Sequence, residues 1–344
     1  MTWGIYGATG FSGRLITAEA LARGQRPVLL GRSVGALRQI AEGTGLRFGV
    51  VADPVALSTA VAGLDLVVNA AGPFDQTVRP VVGACIEGGS SYLDISNELD
   101  SVQFVLGQHE RFTSSGVIAV PAVGFGTVAT EAVALRVATV LPSAVAIEVA
   151  LLADNAGGGK GTSASVLAVL AHGGARVVGG SIVRAPLGRG IARVRTPVGR
   201  RSLVPIPTGD LATVRAATGV DSITAAAAFA VPAWLLAAGL PGVSALARSG
   251  LLPARAARGA KSREYHSYTW ARATDAAGRT ATAWLATGEG YAFTASSVVS
   301  AVELVLAGAK PGAYSSGAAF GADFALRVPG TAIDALDKHG SVIS

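Results

Sequence analysis

Apolar and polar residues change rhythm along this chain. Over the first 120 residues, short runs rich in aliphatic and β-branched side chains, at 3–6, 27–30, 46–51, 64–68, 92–95 and 117–120, alternate with longer stretches. In those stretches, such as 12–23 and 78–87, apolar positions recur at helical spacing. This alternation predicts βαβ units, because parallel strands need a crossover and a helix supplies one. The expected product is a Rossmann-type doubly wound parallel sheet with helices on both faces.

Near residue 144 the pattern changes. Residues 145–151, 177–206 and 265–285 read as strands of a mostly antiparallel sheet, which makes the second region an α+β domain. Residues 222–247 are uncharged over 26 positions, the length of a membrane span, but Pro232, Gly239, Pro241 and Gly242 interrupt them. Two short apolar helices forming a buried or lid-like hairpin are expected there, with peripheral docking on a membrane surface as the other reading. Residues 294–306 read as a helix, and a Gly/Ser-rich turn at 312–321 leads into one last helix. The domain reading is therefore 1–124 for the Rossmann unit, 125–290 for the α+β unit, and 291–344 for helices returning to the first.

Composition narrows the class. With 344 residues, half of them apolar and 15% charged, the chain is too hydrophobic for disorder and long enough for two cores. Four lysines against 24 arginines, with 45 glycines, look like GC-rich codon usage, so only local placement is informative. Cys85 is the single cysteine, which excludes an intrachain disulfide and a thiolate cluster and fits a reducing compartment. It reads as a small apolar helix residue. A strand begins at the second residue and no signal peptide precedes it, so a cytoplasmic location is expected.

The net charge of +6 is uneven. Residues 1–150 hold 9 basic and 12 acidic side chains, whereas 151–344 hold 19 and 10. No acid falls between Asp154 and Asp210, while Arg176, Arg184, Arg189, Arg193, Arg195, Arg200 and Arg201 do. That field would steer an acidic partner, although a solvated sheet face explains it equally well. Nucleic acid is not expected, since the arginines alternate with Val, Ile and Pro in place of stacking aromatics.

The most specific signal is at the start. Strand 3–6 runs into Gly7-Ala8-Thr9-Gly10-Phe11-Ser12-Gly13 and then a helix, the context in which a glycine fingerprint binds a dinucleotide. Gly7 permits the tight turn, Gly10 lets backbone N–H groups approach a pyrophosphate, and Gly13 lets the helix pack on the strand. After the second strand comes Gly31-Arg32-Ser33, where an NAD site usually has Asp or Glu. A cation and a hydroxyl there suit a 2′-phosphate, so NADP(H) is the expected cofactor. The same stretch, Gly31-Arg32-Ser33-Val34-Gly35, matches a nucleophile elbow, but no downstream carboxylate and histidine pair supports that reading. His109, His172, His266 and His339 show no metal-ligand spacing, and no metal is expected.

Several segments together resemble the saccharopine-dehydrogenase-like oxidoreductases, particularly the trans-acting enoyl reductases. They are the fingerprint at 7–13, Gly31-Arg32-Ser33, Asn69-Ala70-Ala71-Gly72-Pro73-Phe74, Tyr92-Leu93-Asp94 with Glu98, and the stretch from Pro121 to Phe125. Weaker similarities lie at Gly161-Thr162 with Ser165, at Tyr291 with Thr294, and at 312–321. The resemblance implies that Asn69, Ala70, Ala71, Gly72 and Pro73 line the nicotinamide side, that Asp53 approaches the adenine, and that Gly124 and Phe125 enter the catalytic cleft. The chain also departs from the family's pattern. Asn97 stands where a Gly is usual, Gly126 where an Asp is common, Gly159-Lys160 in place of Ser-Gly, and Ser315-Ser316-Gly317 in place of Thr-Pro-Ala.

A reductase of this type needs a hydride donor and a proton for the atom that gains charge. Candidates for the proton are Tyr291 and His266, with water as an alternative. Thr162 and Lys160, at a Gly-rich turn, are candidates for holding a substrate carbonyl or phosphate. Asp94 and Glu98 read as caps of the next helix in preference to catalytic acids. The apolar run beside Arg248, Arg255, Arg258, Lys261 and Arg263 suggests a hydrophobic substrate, free, as a coenzyme A ester, or on an acidic carrier protein. The expected function is NADPH-dependent reduction of an activated C=C in a polyketide- or lipid-like substrate, with C=N or C=O as near alternatives. A non-redox cyclase or isomerase on the same scaffold, and an NADPH-sensing or scaffolding protein, are the rival readings. A homodimer stays open.

Overall fold

Strands covered on both faces are buried at every position and not at alternate ones. β4 (Leu66–Asn69) is of this kind, with all four residues buried, and so is β5 (Ser91–Asp94). The computed structural model describes residues 1–153, 173–186, 188–196, 199–229 and 267–336, and the chain divides into two compact units. The first contains residues 1–128 and 290–328; the second contains 129–289 and 329–344.

In the first unit, β1 (Trp3–Tyr6), α1 (Phe11–Ala22), β2 (Val28–Gly31), α2 (Val34–Thr44), β3 (Phe48–Val50) and α3 (Pro54–Val61) precede β4. α4 (Phe74–Gly88), β5, α5 (Leu99–Leu106), α6 (His109–Ser114) and β6 (Ile118–Val120) follow it. The strand order is β3-β2-β1-β4-β5-β6, all parallel, which is the Rossmann order with its reversal between β1 and β4. A seventh strand, β15 (Gly312–Ala313), joins β6 in parallel from far along the chain. Cys85 is fully buried in α4, among Val78, Val81, Val82 and Tyr92 of the core.

α7 (Phe125–Val140) leads into the second unit. There β7 (Ala144–Ala153), β8 (Gly174–Val178), β9 (Ser181–Ala185), β10 (Ala192–Thr196) and β11 (Gly199–Pro205) are followed by α8 (Asp210–Thr218). Next come β12 (Ile223–Phe229), β13 (Ser267–Asp275), β14 (Thr280–Thr287) and, near the end of the described residues, β16 (Ala332–Leu336), and the sheet order is β10-β11-β12-β7-β13-β14-β16. Among the described strands of this unit only β12 and β7 pair in parallel. Arg176, Arg184, Arg189, Arg193, Arg195 and Arg200 are exposed on or beside β8–β11, and Arg195 lies directly opposite Arg200.

Two expectations are corrected here. The uncharged run does not begin with a helix: residues 223–229 form β12, hydrogen-bonded to β7 on one side and β11 on the other. A continuous apolar run does not distinguish a buried strand from a buried helix, and alanine's helix preference is worth only tenths of a kcal/mol per residue. Burial of Ile223, Ala225 and Ala226 inside the sheet outweighs it. Residues 230–247, the rest of the expected hairpin, lie outside the described residues. Nor does the expected closing helix occur among the described residues, which end at 336. After α9 (Gly290–Leu306) and α10 (Ser316–Phe320), a single 3-10 turn (Phe324–Arg327) gives way to strand β16 (Ala332–Leu336) on the edge of β14. Pro329-Gly330 stops the turn, and the alternating exposure of residues 332–334 is that of an edge strand. Among the described residues no helix is long and apolar enough to cross a membrane.

Candidate functional site

The strand-order reversal puts the ends of β1 and β4 side by side, the position at which open α/β sheets bind ligands. The glycines there are needed for different reasons. Gly7 has φ +90°, and a Cβ on it would lie 2.7 Å from the Ala71 nitrogen and 2.8 Å from the Ala70 carbonyl carbon. A Cβ on Gly13 would lie 2.3 Å from the Gly7 oxygen, so α1 can sit this close to the loop only with glycine at that point. At Gly10 a Cβ would meet a single neighbour, the Gly7 oxygen at 3.3 Å. Its outer side is open. Gly7 and Ala8 N–H both donate to the Leu30 carbonyl, at 2.9 and 3.2 Å, and the Thr9 carbonyl accepts from Arg14 Nε at 3.0 Å. α1 begins after Gly10 with no side-chain cap and no acid in its first turn, which leaves the positive end of the helix for an anion. Phe11 is 55% exposed and Ser12 half-buried beside it.

Past β2, Arg32 is exposed and has no hydrogen bond or ion pair with the described residues. Ser33 is the N-cap of α2, its hydroxyl oxygen 3.4 Å from the Ala36 nitrogen, so its O–H stays able to donate outward. Asp53 caps α3 by accepting from Ala36's counterpart there, the Ala56 N–H, at 2.8 Å, ahead of Pro54 at the first helical position.

Asn69 is fully buried and its amide is engaged within the protein. Its Oδ1 accepts from the Ala71 N–H at 3.0 Å, and its Nδ2 donates to Thr77 Oγ1 and Tyr92 Oη, both at 3.3 Å. Thr77 in turn donates to the Ala71 carbonyl at 2.6 Å. The loop carrying Ala70, Ala71, Gly72 and Pro73 is thus held at both ends of one residue, and the Gly72–Pro73 peptide in it is cis. Tyr92 Oη donates to Asp94 Oδ2 at 2.8 Å. Asp94 Oδ1 accepts from the Ser96 N–H, the Ser96 hydroxyl and the Ala122 N–H, at 2.8, 2.7 and 2.8 Å.

Asp94 therefore does not cap α5. It ties the turn after β5 to the turn after β6, where Ala122 is held in the left-handed region at φ 58°, a conformation that costs a non-glycine residue about 1–2 kcal/mol. Burial pushes the Asp94 carboxyl above its ordinary value, against the pull of these donors. Nor does the Glu98 carboxylate cap α5: it accepts from the Asn97 N–H at 3.0 Å.

Gly124 and Phe125 follow, at the start of α7. The Phe125 N–H donates to Thr294 Oγ1 at 3.0 Å, a cap contributed by α9, and its ring meets Phe293 edge-on at 5.3 Å. α9 also brings Tyr291 against the fingerprint: the Tyr291 and Phe11 rings lie 4.8 Å apart at 82°. Two departures from the family pattern are neighbours. A Cβ on Gly126 would lie 3.3 Å from Asn97 Nδ2, so the Asn97 amide fills the space in which a side chain at 126 would start, and its Oδ1 accepts from the Thr127 hydroxyl at 3.1 Å.

Among the sequence candidates, Gly7 to Gly13, Arg32, Ser33, Asp53, Asn69 to Pro73, Gly124, Phe125 and Tyr291 all lie in the first unit. Lys160, Thr162 and His266 lie outside the described residues. Thr77, Ser96, Ala122 and Thr294 were not singled out for these contacts. The Tyr92–Asp94 pair had a usable signal, because residues two apart on a strand share a face.

An NAD(P)H-binding family matches residues 7–94. Human saccharopine dehydrogenase-like oxidoreductase is 28% identical over 146 residues, covering 36% of this chain and 34% of that protein. A trans-acting enoyl reductase of Mycobacterium tuberculosis is 31% identical over 141 residues, covering 37% and 33%. The chain thus spans about a third of the length of the curated relatives it matches. Among solved structures, apo saccharopine dehydrogenase (L-Glu forming) from Saccharomyces cerevisiae superposes with a TM-score of 0.64 over 100% of both chains at 14% identity. The homospermidine synthase of Legionella pneumophila, solved with NAD, gives 0.65 over 98% and 91% at 11%. These likenesses establish a saccharopine dehydrogenase-type fold. Over somewhat more than a third of its length the chain is homologous to saccharopine dehydrogenase-like oxidoreductases and trans-acting enoyl reductases, and it carries an NAD(P)H-binding domain.

Proposed function

We propose that this chain is an NADPH-dependent reductase of an activated C=C bond in a hydrophobic, polyketide- or lipid-like substrate, with C=N and C=O as the neighbouring reactions. One observation carries the cofactor choice: the end of β2 offers an exposed guanidinium without a described partner, followed by a helix-capping serine, where NAD sites place a carboxylate. The glycine cradle and the uncapped start of α1 fit the pyrophosphate of the same nucleotide. Reduced nicotinamide bound there supplies a hydride to an electron-poor carbon. The trans-acting enoyl reductase relative supports an enoyl acceptor.

The chain's own part is to hold, cover and protonate. The Asn69–Pro73 loop and the Ala122–Phe125 turn form the rim of the nicotinamide side, and Phe11 with Tyr291 gives that rim an aromatic edge. Tyr291 is the described candidate for proton delivery; His266 for the same role, and Thr162 and Lys160 for the substrate carbonyl or phosphate, belong to the proposal on sequence. The exposed arginines of β8–β11 support a substrate carried by something acidic, a coenzyme A ester or a carrier protein.

The test is loss of NADPH absorbance with an α,β-unsaturated acyl-coenzyme A. Oxidation with NADPH and not NADH, reduced about a hundredfold in Tyr291→Phe, is the expected result. Binding of NADPH without its oxidation by any such substrate would sink the reductase reading. A cyclase or isomerase is the second reading, favoured by Gly126, which leaves the start of α7 without a carboxylate. Product mass separates the two, since reduction adds two hydrogens and isomerisation none.

A further inference from the structure

Between the fingerprint and the far rim of the crevice runs a continuous chain of contacts, hydrogen-bonded from Ala71 onward. It starts at Gly7, against which the Ala70 and Ala71 backbone rests so closely that no Cβ fits. Ala71 is gripped at its N–H by Asn69 and at its carbonyl by Thr77. Asn69 donates to Tyr92, Tyr92 to Asp94, and Asp94 accepts from Ser96 and from the left-handed Ala122, while the Val123 N–H donates to the Asp94 carbonyl at 2.8 Å. Asn69, Tyr92 and Asp94 are all 0% exposed. None of the three can reach a ligand without a rearrangement, yet every loop of the nicotinamide side is fastened to one of them.

We propose that Tyr92 is a positioning residue: its hydroxyl locks the Ala71 loop to the Ala122 turn and so sets the pocket that orders the nicotinamide, without contributing to capture of the adenosine half. The proposal rests on the dinucleotide reading above. The backbone ladder of β4 and β5 joins the strand ends themselves, and the hydroxyl adds the side-chain link between the two loops, whose removal loosens them while packing is kept.

The experiment compares wild type, Tyr92→Phe and Thr77→Val, which cuts the same chain from the Ala71 side. Each is titrated with 2′,5′-ADP, which has the adenosine 2′-phosphate but no nicotinamide, and with NADPH, whose emission reports on the nicotinamide's surroundings. The expected result is 2′,5′-ADP affinity within about twofold of wild type in both variants. NADPH should lose at least about fivefold of its advantage over that fragment, with bound emission moving toward that of the free nucleotide. An unchanged NADPH-to-fragment ratio and unchanged emission would overturn the positioning role. Equal losses for both nucleotides would overturn it too, since the damage is then general. Failure of wild type to bind either nucleotide overturns the dinucleotide reading and this proposal with it.

Discussion

In the proposed function Arg32 is the residue on which the choice between two cofactors rests. An exposed guanidinium with no described acidic partner gains little for folding, but a 2′-phosphate would give it a charge-assisted hydrogen bond worth about 1.5–3 kcal/mol. Arg32→Ala should therefore weaken NADPH roughly ten- to hundredfold and leave NADH unchanged, as measured by titration calorimetry. Gly13→Ala sets a Cβ 2.3 Å from the Gly7 oxygen and should cost about 1–3 kcal/mol in urea denaturation, with the loop displaced. Asp210 supplies a pH dependence. Burial raises its carboxyl above the ordinary value of 3.8, against the hydrogen bond donated by Thr130. Its folded form thus binds the proton more readily than the unfolded chain. The stability it contributes is complete below the ordinary value and is lost as pH rises through the raised one. Asp210→Asn should flatten that slope in melting temperature against pH.

At this scale the sequence was legible where a residue type has one dominant use. Gly7 and Gly13 belong to that class. Asp94 was not, because a carboxylate at a strand end can cap the next helix or accept from a neighbouring turn, and only the fold brings Ala122 within 2.8 Å.

Among elements, α9 is the one whose neighbours the sequence left open. Its helical character was plain from residues 294–306 and its return to the first unit was expected, but not the elements it packs along there, α1, β4 and β5. Arg23, the C-cap of α1, fixes the contact by donating to Glu19 at 2.7 Å, to the Ser296 hydroxyl at 2.6 Å and to the Ser300 hydroxyl at 3.0 Å. Because the guanidinium is part-buried, Arg23→Ala should cost about 1–2 kcal/mol in chemical denaturation. The strand β12 escaped detection for a related reason: an alanine-rich run carries no period, and its state is chosen by the strands on either side. β16 was hidden by its shortness, although Pro329-Gly330 marks where helix formation must stop.

The molecule as a whole is built from interleaved units, since the chain leaves the first unit after Val128, returns at Gly290 and leaves again after Val328. Every described candidate for nucleotide binding lies in the first unit. Deleting residues 329–344 removes β16 and bares the edge of β14. NADPH affinity should stay within about twofold while the melting transition of the second unit moves down, because edge pairing stabilises the sheet and not the nucleotide loops. A parallel loss of NADPH binding would show that the units do not respond separately.

The late return of α9 and β15 has a consequence for biosynthesis. When the ribosome has delivered the first 128 residues, the surface of β4 and β5 that α9 will cover has no partner, and it gains one only after another 160 or so residues have been translated. The segment made earlier must wait, incompletely shielded, for a helix encoded some 160 residues later. Arrested chains released at residue 128 should be captured by hydrophobic-surface chaperones, and chains released past residue 328 should escape them.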